Sequence, residues 1–230
     1  MTVFTPHICQ AKKMVFVLIV LALGWFCSCD YVEYSPYSTE VSNSDYGSTR
    51  SNLNKLERNP IGDEEVIRIA LISDSHDYYD DLNRAVKAIN RLDPPVDFIF
   101  YLGDLTAGGC TKEFEWSHEI LNKLNRPFFT VIGNHDLIAN GDILYKKHFG
   151  SFNYYFVYKK VRFIVFNSNL WQMSGNIDYD WIDAALNQNE DVEKNILLSH
   201  TPPWAKEFSL SEEKVFHSFV VSRDIAISIH

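Results

Sequence analysis

The sequence predicts an α/β protein built on parallel strands, and two observations carry that reading. From Val66 to Ile132, β-branched and aromatic runs alternate with helical periodicity in the order β-α-β-α-β. Such alternation gives parallel strands with helices packed on them. Four apolar runs also end in side chains able to bind or transfer protons. Ile69–Ser73 ends in Asp74-Ser75-His76, Asp97–Leu102 in Gly103-Asp104, Phe128–Ile132 in Gly133-Asn134-His135-Asp136, and Asn195–Ser199 in His200. Open α/β sheets place their ligands at such carboxyl ends.

The elements follow in order. Val66–Ser73 reads as the first buried strand. Asp80–Leu92 puts Leu82, Ala85, Val86, Ile89 and Leu92 on one helical face, and Pro94-Pro95 stops it. Val96–Leu102 is the second strand. Thr111–Leu124 is a second helix, with Thr111 as its expected N-cap. Phe128–Ile132 is the third strand, and Gly133 lets the chain turn there. After a short helix over Asp142–Phe149 the rhythm changes. Asn153–Tyr158 and Val161–Asn167 flank Lys159-Lys160 as a hairpin. Asp178–Gln188 is helical, Asn195–Ser199 is a buried strand, Ser211–Val221 is helical, and Ile225–Ile229 begins a last strand.

At 230 residues, 46% of them hydrophobic, the chain holds one sizeable core. Its formal charge is −9. Without Met1–Cys29, which carries Lys12, Lys13 and no acid, 19 basic residues face 30 acidic ones, or −11. That surface repels a nucleic-acid polymer. A small phosphorylated substrate stays compatible, because bound cations invert the local sign. Of four cysteines only Cys110 lies in the body, so no disulfide framework is expected, and Cys110 reads as an unreactive loop thiol.

Residues 1–29 read as an export segment. Lys12-Lys13 precede the apolar run Met14–Phe26, whose 13 residues are short of the about 20 that a membrane span needs. Ser28-Cys29 resembles the end of a bacterial lipobox, which implies an acylated Cys29 and a lipoprotein held at the cell envelope. Phe26 and Cys27 depart from the usual lipobox, and an uncleaved anchor is the alternative. Residues 30–62 are rich in Ser, Asn and Tyr without periodicity and read as a flexible tether. The folded domain is expected over residues 63–230.

Aspartate oxygens, imidazole nitrogens and an amide carbonyl form a mixed shell that suits Mn, Fe or Zn. Two residues apart on an extended segment, Asp74 and His76 can point the same way. Asp104 has two oxygens and can bridge two cations. Two metals roughly 3.5–4 Å apart acidify a water between them and clamp an in-line phosphoryl displacement. His135, beside them, can protonate the leaving alkoxide.

The ordered set Asp-x-His, Gly-Asp, Gly-Asn-His-Asp and Ser-His-Thr-Pro-Pro resembles the calcineurin-like metallophosphoesterase family, from about Val66 to the C-terminus. The resemblance implies an α/β/β/α sandwich with a dinuclear site at one edge. It implies that Asp74 and His76 bind one metal, that Asp104 bridges, that Asn134 and His200 bind the second, and that His135 is the proton donor. Three departures stand out. The family's closing Gly-His-x-His is absent, His230 standing just before its expected place, so the domain is expected to be incomplete at its C-terminus. Ala107 stands where relatives often carry an Asp that orients the catalytic histidine, and Asp136 is the candidate substitute. The Gly103–Gly109 loop lacks the arginine of protein Ser/Thr phosphatases.

The expected function is metal-dependent hydrolysis of a phosphomonoester or phosphodiester. The alternatives are a truncated, inactive domain and a lipoprotein that binds phosphoryl ligands without turnover. Tyr78, Tyr79, Trp171 and Trp204 follow site or strand-end loops and are read either as pocket-lining or as rim packing. His7, His118, His148 and His217 belong to no cluster and are read as structural or surface residues.

Overall fold

Three parallel strands, β1 (Ile69–Ile72), β2 (Phe98–Tyr101) and β3 (Phe128–Thr130), form the first sheet of the computed structural model, in the order β1-β2-β3. The structure describes residues 35–41, 46–58, 66–173 and 175–230. The export segment, its Cys29 and the expected domain start at Asp63 lie outside the described residues. All four residues of β2 are buried. Because successive strand side chains face opposite ways, such a strand must be covered on both sides. Ile99 and Tyr101 pack into a helical layer, and Phe98 and Phe100 pack toward a second sheet.

The second sheet has the order β4-β5-β6-β7, from β4 (Tyr154–Tyr158), β5 (Val161–Val165), β6 (Lys194–Leu198) and β7 (Ile225–Ile229). β4 and β5 form the expected antiparallel hairpin, and β5, β6 and β7 run parallel. The hairpin turn holds Lys159 at φ 48° and Lys160 at φ 60°. Two residues of positive φ match the twist of a two-residue hairpin loop. Lys159 secures its place with bonds from Nζ to the Val66 carbonyl at 3.0 Å and to Asp97 at 3.1 Å.

Helices α2 (Tyr79–Ile89), α3 (Thr111–Leu121) and α4 (Gly141–His148) cover the first sheet through Leu82, Val86, Phe114, Leu121 and Leu144. The short α5 (Leu170–Met173) precedes α6 (Tyr179–Leu186), which with α7 (Leu210–Ser222) covers the second sheet through Ile182, Ala185, Phe216 and Phe219. Between the sheets, Phe98, Phe100, Phe129, Phe156, Phe163 and Leu198 interdigitate. The layers are α/β/β/α, as the resemblance implies.

Two expectations change. The stretch read as a tether contains a helix, α1 (Ser48–Arg58), whose Leu53 and Leu56 join the core between the sheets. The compact unit accordingly runs from Pro36 to His230. Two leucines in eleven residues are too sparse to register as periodicity, yet spacing of three puts them on one face. Thr111 is the first residue of α3 and not its cap. Cys110 holds the cap position, where its N–H donates to Glu113 at 2.8 Å, and the Thr111 hydroxyl donates to the Ser38 carbonyl. Among the described residues no helix is long and apolar enough to cross a membrane.

Candidate metal centre

Asp104 closes the turn after β2, and the other donors gather around it. Its carboxylate lies 3.7 Å from His76 Nε2 and 3.4 Å from His200 Nε2. It also accepts the backbone N–H of His135 at 2.9 Å. His200 Nε2 is 3.2 Å from Asn134 Oδ1. Two groups of candidate ligand atoms result, each within 4.8 Å: His76 with Asp104 and His135, and Asp74 with Asp104 and His200. All six residues singled out in the sequence therefore meet at the carboxyl ends of strands from both sheets.

Asp74 falls in the group with His200, and His76 in the group with His135, whose ring centroid lies 4.7 Å away. Asp74 has φ 56° and His76 φ 45°, so the segment is not extended as the sequence reading supposes. Asp104 is left-handed as well, at φ 57°. This region costs most L-residues about 1–2 kcal/mol, and here the loops compensate. Asp74 N–H donates to the Gly103 carbonyl and His76 N–H to the Asp104 carbonyl, each at 3.1 Å. The buried Tyr101 hydroxyl accepts Ser75 N–H at 2.8 Å from beneath.

Glycines make the approach possible. A Cβ on Gly133 would stand 2.1 Å from Asp104 N and Oδ1. On Gly103, already at φ 102°, it would stand 2.5 Å from His200 Nδ1.

Backbone carbonyls set the histidine tautomers. His76 Nδ1 faces the Thr106 carbonyl at 3.2 Å, His135 Nδ1 the Ala107 carbonyl at 2.8 Å, and His200 Nδ1 the Leu102 carbonyl at 2.7 Å. A carbonyl only accepts, so each ring carries a proton on Nδ1 and turns Nε2 toward the site, as a ligand atom in the neutral ring or a proton donor in the charged one. The role that sequence reasoning assigned to Asp136 thus falls to the main chain at Ala107. Asp136 is fully buried and instead accepts Gly133 N–H at 3.0 Å and Thr106 N–H at 2.9 Å, joining two site loops. Burial raises its carboxyl to about 6, opposed by those hydrogen bonds and reinforced by Asp104. The carbonyls carry no side-chain signal, which is why the sequence did not reveal them.

Charge favours cations. Burial pushes Asp104 up, but the His200 hydrogen bond and charge, with His135 N–H, hold it below the ordinary carboxylate range. Burial lowers His200, and the Asp104 hydrogen bond and charge overcome it, raising the ring to about 9. A proton on His200 therefore stands where a cation would sit, and a cation there would have to displace it.

The surroundings divide. A cleft of about 380 Å³ beside the donors is lined by Asp74, His200, Trp204 and His230 among others. Tyr78 lines a neighbouring cleft with Asp74. Trp171 lines neither, and Tyr79 packs edge-on against Trp116. His230 is not in the donor groups; its Nδ1 lies 2.8 Å from Ser199 Oγ. His118 and His148 are buried beneath the first sheet's helices, and His217 is exposed.

Acid, imidazole and amide donors thus stand together at the carboxyl ends of strands in an α/β/β/α sandwich. The chain belongs to the calcineurin-like phosphoesterase family, which it matches over residues 67–228. It is 27% identical over 140 residues to a probable glycerophosphodiester phosphodiesterase, GpdQ, of Arcobacter nitrofigilis, a match covering 55% of this chain and 50% of the relative. The chain thus spans about half the length of that curated relative. Among solved structures it resembles a dimetal phosphatase from Danio rerio, with TM-score 0.53, 18% identity, and coverage of 69% of this chain and 78% of that one. It also resembles GAP50, the anchor in the inner membrane complex of Plasmodium, with TM-score 0.52, 14% identity, and coverage of 70% and 64%. These two likenesses are of fold.

Proposed function

We propose that this chain hydrolyses a small phosphomonoester or phosphodiester with two divalent or trivalent cations, of the Mn, Fe or Zn kind, held around Asp104. The observation that carries the reading is that Asp104 belongs to both groups of candidate ligand atoms. When bound, such a cation pair activates water and neutralises the phosphoryl oxygens. The chain's own residues do the rest. Asp104 holds the two positions together, and Asn134 offers a neutral oxygen beside His200. Water would add to phosphorus as the ester P–O bond breaks; His135, with its Nδ1 proton held on the Ala107 carbonyl, would act in its doubly protonated form and pass the Nε2 proton to the departing alkoxide, the proton lost by the water then restoring it. The Ala107 carbonyl keeps that ring turned toward the site.

The glycerophosphodiester named for the GpdQ relative makes diesters the first substrates to try. The test is metal analysis of the chain beside assays on p-nitrophenyl phosphate and bis(p-nitrophenyl) phosphate. Two bound metals with metal-dependent release of nitrophenol support the reading, and two bound metals without turnover of any ester refute it. We further propose attachment to the cell envelope through a lipid on Cys29. Its support is the basic pair, the short apolar run and the Ser28-Cys29 pair that follows.

A further inference from the structure

The donors come from two different sheets, Asn134 and His135 from the end of β3 and His200 from the end of β6. Something must fix the distance between these loops. One buried side chain touches both. Asn169, 1% exposed, donates from Nδ2 to the Ile132 carbonyl at 2.9 Å and accepts the Thr201 hydroxyl on Oδ1 at 2.7 Å. Ile132 stands two residues before Asn134, and Thr201 directly follows His200.

The contacts around it leave little freedom. The other Nδ2 hydrogen goes to Asn167 Oδ1 at 2.9 Å, which also accepts Asn169 N–H at 3.0 Å. Asn167 N–H in turn donates to Asn153 at 2.9 Å. Thr201 N–H donates to Ser168 Oγ at 3.0 Å, so the His200 loop is gripped through main chain and side chain by consecutive residues. The peptide between Ile132 and Gly133 is gripped on both edges too, its carbonyl by Asn169 and its N–H by Asp136. An amide can donate to one loop and accept from the other at once; an aspartate there could only accept.

We infer that Asn169 is a positioning residue that ties the Asn134 loop to the His200 loop and so sets the spacing of donors on which cation binding depends. This rests on the proposed cation centre, although the first readout below needs no cation. In the metal-free protein, Asn169→Ala shifts the NMR resonances of the Asn134 amide and the His200 ring together. Thr201→Val, which removes only the hydroxyl end of the link, shifts both as well, and Thr201→Ser restores them. In titrations with Mn²⁺, Asn169→Ala and Thr201→Val weaken binding about 10- to 100-fold, the usual cost of losing a residue that orients a ligand. Asn169→Asp, which keeps the acceptor and loses the donor, weakens it similarly.

A lower melting temperature with unchanged Mn²⁺ affinity would overturn the inference, leaving Asn169 a packing residue. So would a shift confined to one of the two loops, or failure of Thr201→Ser to restore what Thr201→Val loses. If the wild-type chain binds Mn²⁺ without turning over any ester, the function proposed above fails while this link stands.

Discussion

The His135 backbone N–H donates to Asp104 Oδ1 at 2.9 Å. The carboxylate shared by both donor groups therefore also fixes the loop that carries the proposed proton donor. Loss of Asp104 and loss of the His135 side chain should consequently have different signatures.

Asp104→Ala removes a donor common to both groups. Bound metal and turnover of a p-nitrophenyl phosphoester should both disappear. Elemental analysis of the purified variant beside an activity assay checks this, and retention of both refutes the shared role.

His135→Ala leaves Asp104, Asn134 and His200 in place. Metal content should stay largely intact while turnover falls about 10²–10⁴-fold, the range for losing a general acid. His135 also lies within ligand distance of His76 and Asp104. A fall in metal content in this variant would make it a ligand.

Gly133→Ala adds one methyl group where Asp104 N and Oδ1 stand 2.1 Å away. Backbone, and not a flexible side-chain end, must then shift. Metal binding should collapse in a protein that still shows its far-UV circular dichroism, and wild-type Mn²⁺ affinity would contradict the close approach.

Asp97 gives a pH prediction remote from the site. It is buried and accepts Arg68 N–H at 2.8 Å, the Tyr158 hydroxyl at 2.6 Å and Lys159 Nζ at 3.1 Å. Burial raises its carboxyl, but these bonds and the Lys159 charge hold it below the ordinary value. The stabilisation is therefore present above the unfolded pKa of about 3.9 and is lost as pH falls through the lower folded value. Asp97→Asn should lower neutral-pH stability by about 2 kcal/mol. It should also flatten the acid limb of stability against pH, which urea unfolding from pH 7 to pH 2 would read; an unchanged acid limb contradicts it.

Cys29→Ala should release the protein from the membrane fraction or block its processing. Cell fractionation with labelling by a radioactive fatty acid reads this, and unchanged acylation would point to Cys27.

The fold was legible where strands are covered on both faces. Phe98–Tyr101 and Phe128–Thr130 have no exposed side to blur their runs, and the donors at their ends stand out for the same reason. Less visible was whatever depends on backbone direction or on contacts distant in sequence. Asp74 and His76 carry a two-residue spacing that suits an extended chain, but both adopt left-handed backbone. Leu53 and Leu56 gain meaning only when a sheet is there to receive them. Asp136 was the candidate substitute for the Asp missing at Ala107, whereas its carboxylate accepts from Gly133 and Thr106.

The positive φ at Asp74, His76 and Asp104 narrows what evolution can place there. Aspartate, asparagine and histidine are the side chains, glycine apart, that tolerate that backbone most readily. They are also among the commonest oxygen and nitrogen donors to cations. Conformational tolerance and coordination chemistry thus select the same short alphabet at these positions. A drift to valine or leucine would be rejected first by the chain's own geometry, before any cation was lost.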